Sequence, residues 1–459
     1  MPKSAAMTIP LNIALIGCGR RAQRVYFQVL PALAEWVHVV AVCDPAPGNR
    51  DAAAVHFGAP AFDSLRALLH AKPMTAALVA TPPSSHHAVS CLLSAHGVHH
   101  LVETPMCDTL QQARAMTAQA ERHGVVFRVA EQFWRDPIDL LARQLMAAGV
   151  IGDVGRITHF QAHLGYHNNS RHQMMAGGAP VAVNAVEQRM PTVHYINTER
   201  HHRDETFRNR SFHFPNGVLV TDLAGNIKGA LGRYDRPGLM EIDGSYGAIV
   251  QEAVGHWTGR AEVRLVSEHR RLDGSGGYSD GHPVLYRYRD ADGNIEERAL
   301  HGRADDLVYL GAHAELPQGR FEVENEFAAY GVATPGQAAF AGVVRDFAEL
   351  IEARAARHDC MDAGGRATQG AVAEGSRGSG FADLVHAGRP DPFTPAMAVM
   401  SLTMELAAAL SARRVGARVE LSDPGIIPLD AERQAALRVQ LGFDPLDVEA
   451  MAGYAFPKP

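Results

Sequence analysis

Lysine is nearly missing from this chain. In 459 residues it occurs four times, as Lys3, Lys72, Lys228 and Lys458. Chemistry that depends on a lysine ammonium therefore has few positions to draw on. Cysteine is also sparse: Cys18, Cys43, Cys91, Cys107 and Cys360 are scattered, with no C-x-x-C pair. That spacing gives no zinc framework and suits a reducing compartment, so a cytoplasmic protein is expected. The formal net charge is -7 and there is no basic stripe, which argues against a nucleic-acid partner. Apolar runs such as Thr75–Ala80 are strand-sized and too short to span a bilayer, so no membrane partner is expected. The opening MPKSAAMTIPLN carries no apolar run of signal-peptide length.

What is present is ordinary for a soluble globular chain: 46% hydrophobic and 20% charged residues. The length exceeds what one core organises, so two domains are the starting expectation. The first apolar run, Leu11–Ile16, leads into Gly17-Cys18-Gly19-Arg20-Arg21-Ala22. This is G-x-G-x-x-G/A between a predicted strand and a predicted helix, the placement a dinucleotide site needs. Gly17 permits the tight turn, Gly19 lets a pyrophosphate approach the backbone, and Ala22 lets helix and strand pack closely. Arg20 and Arg21 open that helix, whose free N–H groups suit phosphate. Pro31 is expected to break or kink it near Leu30.

The next predicted strand, His38–Cys43, ends in Asp44. A carboxylate there accepts adenosine ribose hydroxyls and repels a 2′-phosphate, which favours NAD over NADP. Further strands at Thr75–Ala80, Leu101–Val102 and Val125–Ala130 alternate with helices at His86–His96 and Thr109–His123. Thr109 and Gln112 are spaced as a capping box. The alternation predicts a doubly wound parallel sheet with its ligand at the carboxyl ends of the strands. Thr81-Pro82-Pro83 with His86, and Glu103-Thr104-Pro105, lie at such ends. Glu131 and Gln132 follow the last of these strands, where Gln132 is placed to meet the carboxamide or the substrate.

Together these pieces carry a resemblance. GCGRRA, the Asp44 strand end, ATPPSSHHAV, LVETP and GVIGDVGRI resemble the Gfo/Idh/MocA oxidoreductases from Leu11 to about Gly155. FHFPNGVLVTDLAG and LMEIDGSYGAIV extend the match more loosely. The resemblance implies an α/β protein with an N-terminal Rossmann domain and a C-terminal α/β domain built on a large, open, mainly antiparallel sheet. The expected limits are 1–134 and 135–422, with 423–459 as a C-terminal extension. It also implies a sugar- or cyclitol-like substrate between that sheet and the nicotinamide, and a homodimer or homotetramer. Cofactor contacts are expected from Gly17, Gly19, Arg20, Arg21, Ala22, Asp44, Thr81, Pro82, His86, Glu103 and Gln132.

The departures concern the chemistry. The family's strand-end motif is Glu-Lys-Pro, and here Thr104 stands where the lysine belongs. The family's second-domain motif is an aspartate with a histidine four residues later. Aligned on His194-Tyr195, the aspartate place is Met190; aligned on Gly177-Gly178, the two places are Val183 and Glu187. Oxidising an alcohol requires a base near neutrality, and a threonine hydroxyl does not titrate there. His194, in an expected helix over Pro191–Asn197, is then the first choice of acid/base, with Glu187 and Tyr195 behind it and Thr104 as a hydrogen-bond donor. His159, His163 and His167 recur every fourth residue along an expected strand, Arg156–Tyr166, and would share one face. His163 or His167 is expected to bind substrate, and no metal is expected.

Hairpin turns are expected at Pro215-Asn216-Gly217, Asp243-Gly244 and Asp290–Gly293. A long helix is expected over Gly336–His358, a flexible loop over Gly364–Gly380, and a helix opening at Thr394-Pro395. The tail has one short helix, Ala431–Gln440. Three functions stay open. They are an NAD-dependent oxidoreductase, an NAD-containing lyase or glycoside-cleaving enzyme that oxidises its substrate transiently, and a non-catalytic NAD- or sugar-binding partner subunit.

Overall fold

The structure, a computed structural model, describes residues 9–161, 165–197, 200–224, 239–252, 259–266, 281–301, 306–363 and 393–456. His163, Lys228 and the stretch 364–380 lie outside them. The chain opens with β1 (Leu11–Ile16), α1 (Arg20–Arg24), α2 (Tyr26–Ala32), β2 (Val37–Cys43), α3 (Pro47–Phe57) and β3 (Ala61–Phe62). It continues through α4 (Leu65–Ala71), β4 (Ala76–Val79), α5 (Pro83–Ala95), β5 (His99–Val102), α6 (Leu110–Arg122) and β6 (Phe127–Val129). The six strands pair in parallel in the order β3-β2-β1-β4-β5-β6. Order and direction are those of a doubly wound dinucleotide fold, with its switch point between β1 and β4.

Sequence cues explain most boundaries. The Thr109 hydroxyl accepts the Gln112 N–H and the Gln112 side chain answers the Thr109 N–H, so α6 begins in a full capping box. Pro31 does not break the first helix where expected. The break falls earlier, at Val25, and Pro31 sits in the last turn of α2. Proline leaves the carbonyl four residues back without its helical partner; that carbonyl, on Phe27, meets His56 Nε2 at 2.8 Å instead.

A 3-10 turn at Gln132–Arg135 leads into α7 (Pro137–Ala147), β7 (Val154–Gln161), α8 (Gly165–Ala176), β8 (Ala182–Asn197), β9 (Arg200–His213) and β10 (Leu219–Ala224). Then come β11 (Leu239–Gly244), β12 (Gly247–Gln251), β13 (Gly259–Leu265), β14 (His282–Arg289), β15 (Ile295–Arg298), β16 (Leu300–His301), β17 (Val308–Leu316) and β18 (Gly319–Glu324). The chain closes with α9 (Pro335–Ala363), α10 (Pro395–Arg413), β19 (Val419–Glu420), α11 (Ile426–Leu441) and α12 (Val448–Ala455). Among the described residues the second sheet has 13 strands, mainly antiparallel, with β7 and β10 parallel.

Two expectations about this domain are corrected. Pro191–Asn197 is not a helix; it is the far half of β8, laddered to β9 as far as Asn197↔Arg200. A partner strand of matching length overrides local helix preference. The strand through His159 ends at Gln161, and a helix opens at Gly165. His159 and His167 therefore belong to different elements.

Later segments return to the first domain. α9 packs on α2, and its Phe340, Val344 and Phe347 join the core on the α1–α3 face of the Rossmann sheet. α11 and α12 pack on α6 and α5 across the other face. The tail is thus more structured than expected, with a second helix. α10 corrects the statement about apolar runs. It has 19 residues and a mean hydropathy of 1.4, long and apolar enough to cross a membrane by length and composition. Here it is packed against β8, α8 and α6, with Met404, Leu406 and Ala407 fully buried.

The α5–β5 layer carries buried histidines held neutral. His100 Nδ1–H donates to the Val98 carbonyl at 3.1 Å while Nε2 accepts the Ser90 hydroxyl at 2.7 Å. Burial pulls His100, and likewise His87, down to about 4. The unfolded chain binds these protons at higher pH, so their contribution is intact above about pH 6.5 and falls away as pH drops toward 4. Burial pushes Asp136 the other way, up to about 7, so the test is a difference between variants. His100→Asn should lose less stability than the parent between pH 6.5 and 4, by up to about 3 kcal/mol in chemical denaturation. Equal losses would contradict the neutral-histidine account.

Candidate active site

A cleft of about 1390 Å³ runs along the carboxyl ends of the Rossmann strands. Gly17 and Gly19 line it after β1, Asp44 after β2, Thr81 and Pro82 after β4, Glu103 and Thr104 after β5, and Gln132 after β6. The second domain closes it with Tyr166, His167 and Tyr288, and α9 adds Gln337 and Phe340. The volume accommodates a dinucleotide and a small substrate together.

The glycine loop is built for close approach. Gly17 has φ +86°, and a Cβ there would lie 2.7 Å from the Ala80 carbonyl carbon and the Thr81 nitrogen. A Cβ on Gly19 would meet the Asn49 side chain at 3.6 Å and nothing nearer, so the space above it is open for a phosphate. Asp44 is 6% exposed. Its Oδ2 accepts the Cys18 N–H at 2.7 Å and its Oδ1 accepts the Ala46 N–H at 2.8 Å. It therefore latches the glycine loop and caps the following turn while still lining the cleft. A carboxylate has about four acceptor positions, which leaves two for ribose hydroxyls. Arg50 is turned to Asp51, leaving Asp44 to face a 2′-substituent with its negative charge.

Three expected cofactor contacts act differently. Ala22 is fully buried and serves helix packing. His86 is also fully buried, and its ring stands between the Thr81 and Pro105 carbonyls at 2.8 and 3.0 Å. It braces the two strand-end loops and does not line the cleft. Glu103 is occupied from several sides. Arg21 grips it through Nε at 2.7 Å and Nη2 at 3.1 Å, the Tyr26 hydroxyl donates at 2.7 Å, and the Thr104 N–H donates at 2.9 Å. Glu103 thus fixes Arg21 beside Thr104, and the Phe340 ring supports the guanidinium at 4.7 Å. Gln132 Oε1 is buried with no hydrogen-bond partner, an acceptor left for a ligand at this end of the cleft.

His167, the third residue of α8 and the first to be buried, is held by Glu131. Its Nδ1 lies 2.9 Å from both carboxylate oxygens. The Phe133 ring packs edge-on against it at 4.9 Å. An Nδ1–H directed at a carboxylate sets the tautomer and leaves Nε2 as the acceptor nitrogen. Beside it, the Tyr166 hydroxyl bonds with the Thr104 side chain, and burial pushes the phenol well above its ordinary range. Tyr166 is therefore a hydrogen-bond donor at neutral pH. Tyr166 was expected only as the end of a strand and not as a site residue; its one signal was adjacency to His167.

The sequence profile of GFO_IDH_MocA, the oxidoreductase family with an NAD-binding Rossmann fold, matches residues 11–131. Residues 11–131 are thus similar to the NAD-binding Rossmann domain of the Gfo/Idh/MocA oxidoreductases. The chain is 30% identical over 155 residues to D-glucoside 3-dehydrogenase of Escherichia coli K12, a match covering 33% of this chain and 43% of the relative. It is 34% identical over 146 residues to D-apiose dehydrogenase of Paraburkholderia graminis, covering 30% and 37%. These matches span less than half of either relative. The whole fold is similar to an NAD-binding oxidoreductase from Klebsiella pneumoniae, with TM-score 0.58 and 17% identity over 91% of this chain and all of that one.

Of the residues expected to do chemistry, Thr104 lines the cleft and the others lie on β8. Glu187 and His194 are exposed on β8 and do not line the cleft; Glu187 is paired with Arg208 at 3.0 Å. Tyr195 lies on the same strand, and its side chain is outside the described set. His194 and Tyr195 had been placed on a helix that does not form, and Glu187 had been placed by the register set on Gly177-Gly178; all three lie on β8. The four-residue spacing sought there occurs earlier, at His163 and His167, with His167 at the cleft. The described lysine, Lys72, donates to the His96 carbonyl at 2.8 Å, away from the cleft.

Behind His167, α8 is polar and buried from His167 to Gln173. Asp139 holds the fully buried Arg171 through two bonds of 2.6 and 2.7 Å, and Gln251 accepts a third at 3.0 Å. Arg171 also lies 5.2 Å from the Phe133 ring that packs on His167. His159, His172 and Asp222 bring possible ligand atoms within 4.8 Å of one another. Asp222 is committed to Arg210 and Asn168, however, and His159 Nδ1 meets His172 Nε2 at 3.0 Å. Two adjacent guanidinium groups disfavour a cation, so this cluster is a hydrogen-bonded core.

The two glycines separate fold from binding. Gly17→Ala should destabilise the protein by about 2–3 kcal/mol, through backbone collision and positive φ. Gly19→Ala should keep the parent melting temperature and lose NAD affinity in calorimetry. Parent-like NAD affinity in Gly19→Ala would remove the phosphate role.

Proposed function

We propose that this protein is an NAD-dependent dehydrogenase that oxidises a hydroxyl of a sugar-like substrate, with His167 as the base. The observation that carries this is the His167–Glu131 contact at the cleft. Imidazole exchanges protons near neutrality, and a carboxylate on Nδ1 orients it and stabilises the cation that forms. Bound NAD supplies the two-electron acceptor for the hydride.

His167 Nε2 takes the hydroxyl proton, and Glu131 steadies the resulting imidazolium. Tyr166 and Thr104 hold the substrate oxygen by hydrogen bonding, in place of the missing lysine. Arg21, fixed by Glu103, supplies a positive charge on the same side of the cleft. Gln132 Oε1 accepts from the carboxamide or from a substrate hydroxyl. The sugar class is supported by the two curated relatives, both named as dehydrogenases of sugar-type substrates.

Purified protein with NAD should form NADH steadily with at least one member of a panel of aldoses, glucosides and polyols. With that substrate, His167→Gln should lower kcat about 10²–10⁴-fold with parent-like NAD affinity. Glu131→Gln should cost less. An unchanged kcat in His167→Gln would overturn the assignment, and product without net NADH would point to the lyase reading.

A further inference from the structure

The chain beyond Asp423 does more than follow the second domain. It crosses back to the Rossmann domain and is tied there at several points. Asp430, 3% exposed, accepts the backbone N–H groups of Leu110 and Gln111 at 2.7 and 2.9 Å. A carboxylate at the start of α6 is favoured by the helix dipole as well as by these bonds. Gln434 accepts the Thr109 hydroxyl at 2.8 Å, and the Pro445 carbonyl accepts Gln112 Nε2 at 3.3 Å. Glu449, near the start of α12, meets Arg66 at the start of α4 at 2.9 Å. The last turn of α12 then reaches the cleft beside Pro83 and Ser84, where Tyr454, Ala455 and Phe456 line the wall.

The direction of this path decides which end of the cleft the arm reaches. α4 follows β3 and α5 follows β4, so α12, packed on α5 and tied to α4, lies toward the β3-to-β4 side of the sheet. Asp44 closes β2 on that side, where an acidic residue receives the adenosine ribose. The nicotinamide end, with Gln132, Thr104 and His167, lies at β5 and β6. Phe456 is buried and anchors the turn, whereas Tyr454 is 58% exposed. One side of the Tyr454 ring packs against Phe443, with centroids 5.9 Å apart. An aromatic held on one side and open on the other presents a stacking surface for a planar ring.

We infer that the C-terminal arm is part of the cofactor site and that Tyr454 packs against the adenosine half of NAD. The inference rests on the reading of this cleft as the NAD site. NAD and ADP-ribose binding to the full-length protein, measured by calorimetry, tests it. Tyr454→Ala should weaken both about tenfold, and Tyr454→Phe should restore both. Gln132→Ala, at the other end, should weaken NAD and spare ADP-ribose. Tyr454 is exposed, so its truncation leaves the fold intact, and an unchanged melting temperature is the control. Parent-like affinity of Tyr454→Ala for both ligands would overturn the inference while leaving the site reading in place. Failure of the parent to bind ADP-ribose would overturn the site reading and the inference with it.

Discussion

The burial of α8 is the constraint on which the candidate site depends. A helix reading HNNSRHQ would ordinarily lie in water, yet all seven of these residues are buried. Charges taken from water are tolerated when paired and fully hydrogen-bonded. Arg171 meets that requirement through Asp139 and Gln251, and Asp222 through Arg210 and Asn168. These pairs bind α8 to α7 and to the second sheet. Because α8 cannot slide or turn without breaking them, the residues at its start, Tyr166 and His167, have fixed positions over the cleft. Removing one partner would leave a charge buried alone, at a cost of about 3–5 kcal/mol.

In the proposed reading, cofactor binding and chemistry rest largely on separate structures. The first belongs to the Rossmann domain, where Asp44 locks the glycine loop and Glu103 gathers Arg21, Tyr26 and Thr104 into one knot. The second is assembled across the domains, with Thr104 and Glu131 from one side and Tyr166 and His167 from the other. Without a lysine at the strand end, positive charge comes from Arg21 on the glycine-loop helix. That charge is held by Glu103, the residue just before Thr104.

The Rossmann half was legible in the sequence because its signals are local. The glycine spacing, the acidic strand end and the capping box at Thr109 each act within a few residues. The second domain's antiparallel sheet, its hairpin turns and the starts of α9 and α10 were also foreseen, but its share of the site was not, because the decisive contacts there span long stretches of chain. His194 was assigned to a helix on local grounds, and only pairing with β9 makes Pro191–Asn197 a strand. α8 carries no apolar stripe, so periodicity gave no hint of its burial. The four-residue histidine spacing was noticed but attached to a strand, which separated His167 from the role proposed for it. Asp430 capping α6 links positions 320 residues apart, and no pattern in either segment announces it.

The central claim is that His167 is the proton acceptor in a site that has no lysine at its usual place. A crystal structure with NAD and a substrate tests it most directly. His167 Nε2 is predicted within about 3.2 Å of the hydroxyl that faces nicotinamide C4. A different titratable side chain at that hydroxyl, with His167 beyond hydrogen-bonding reach, would contradict the account.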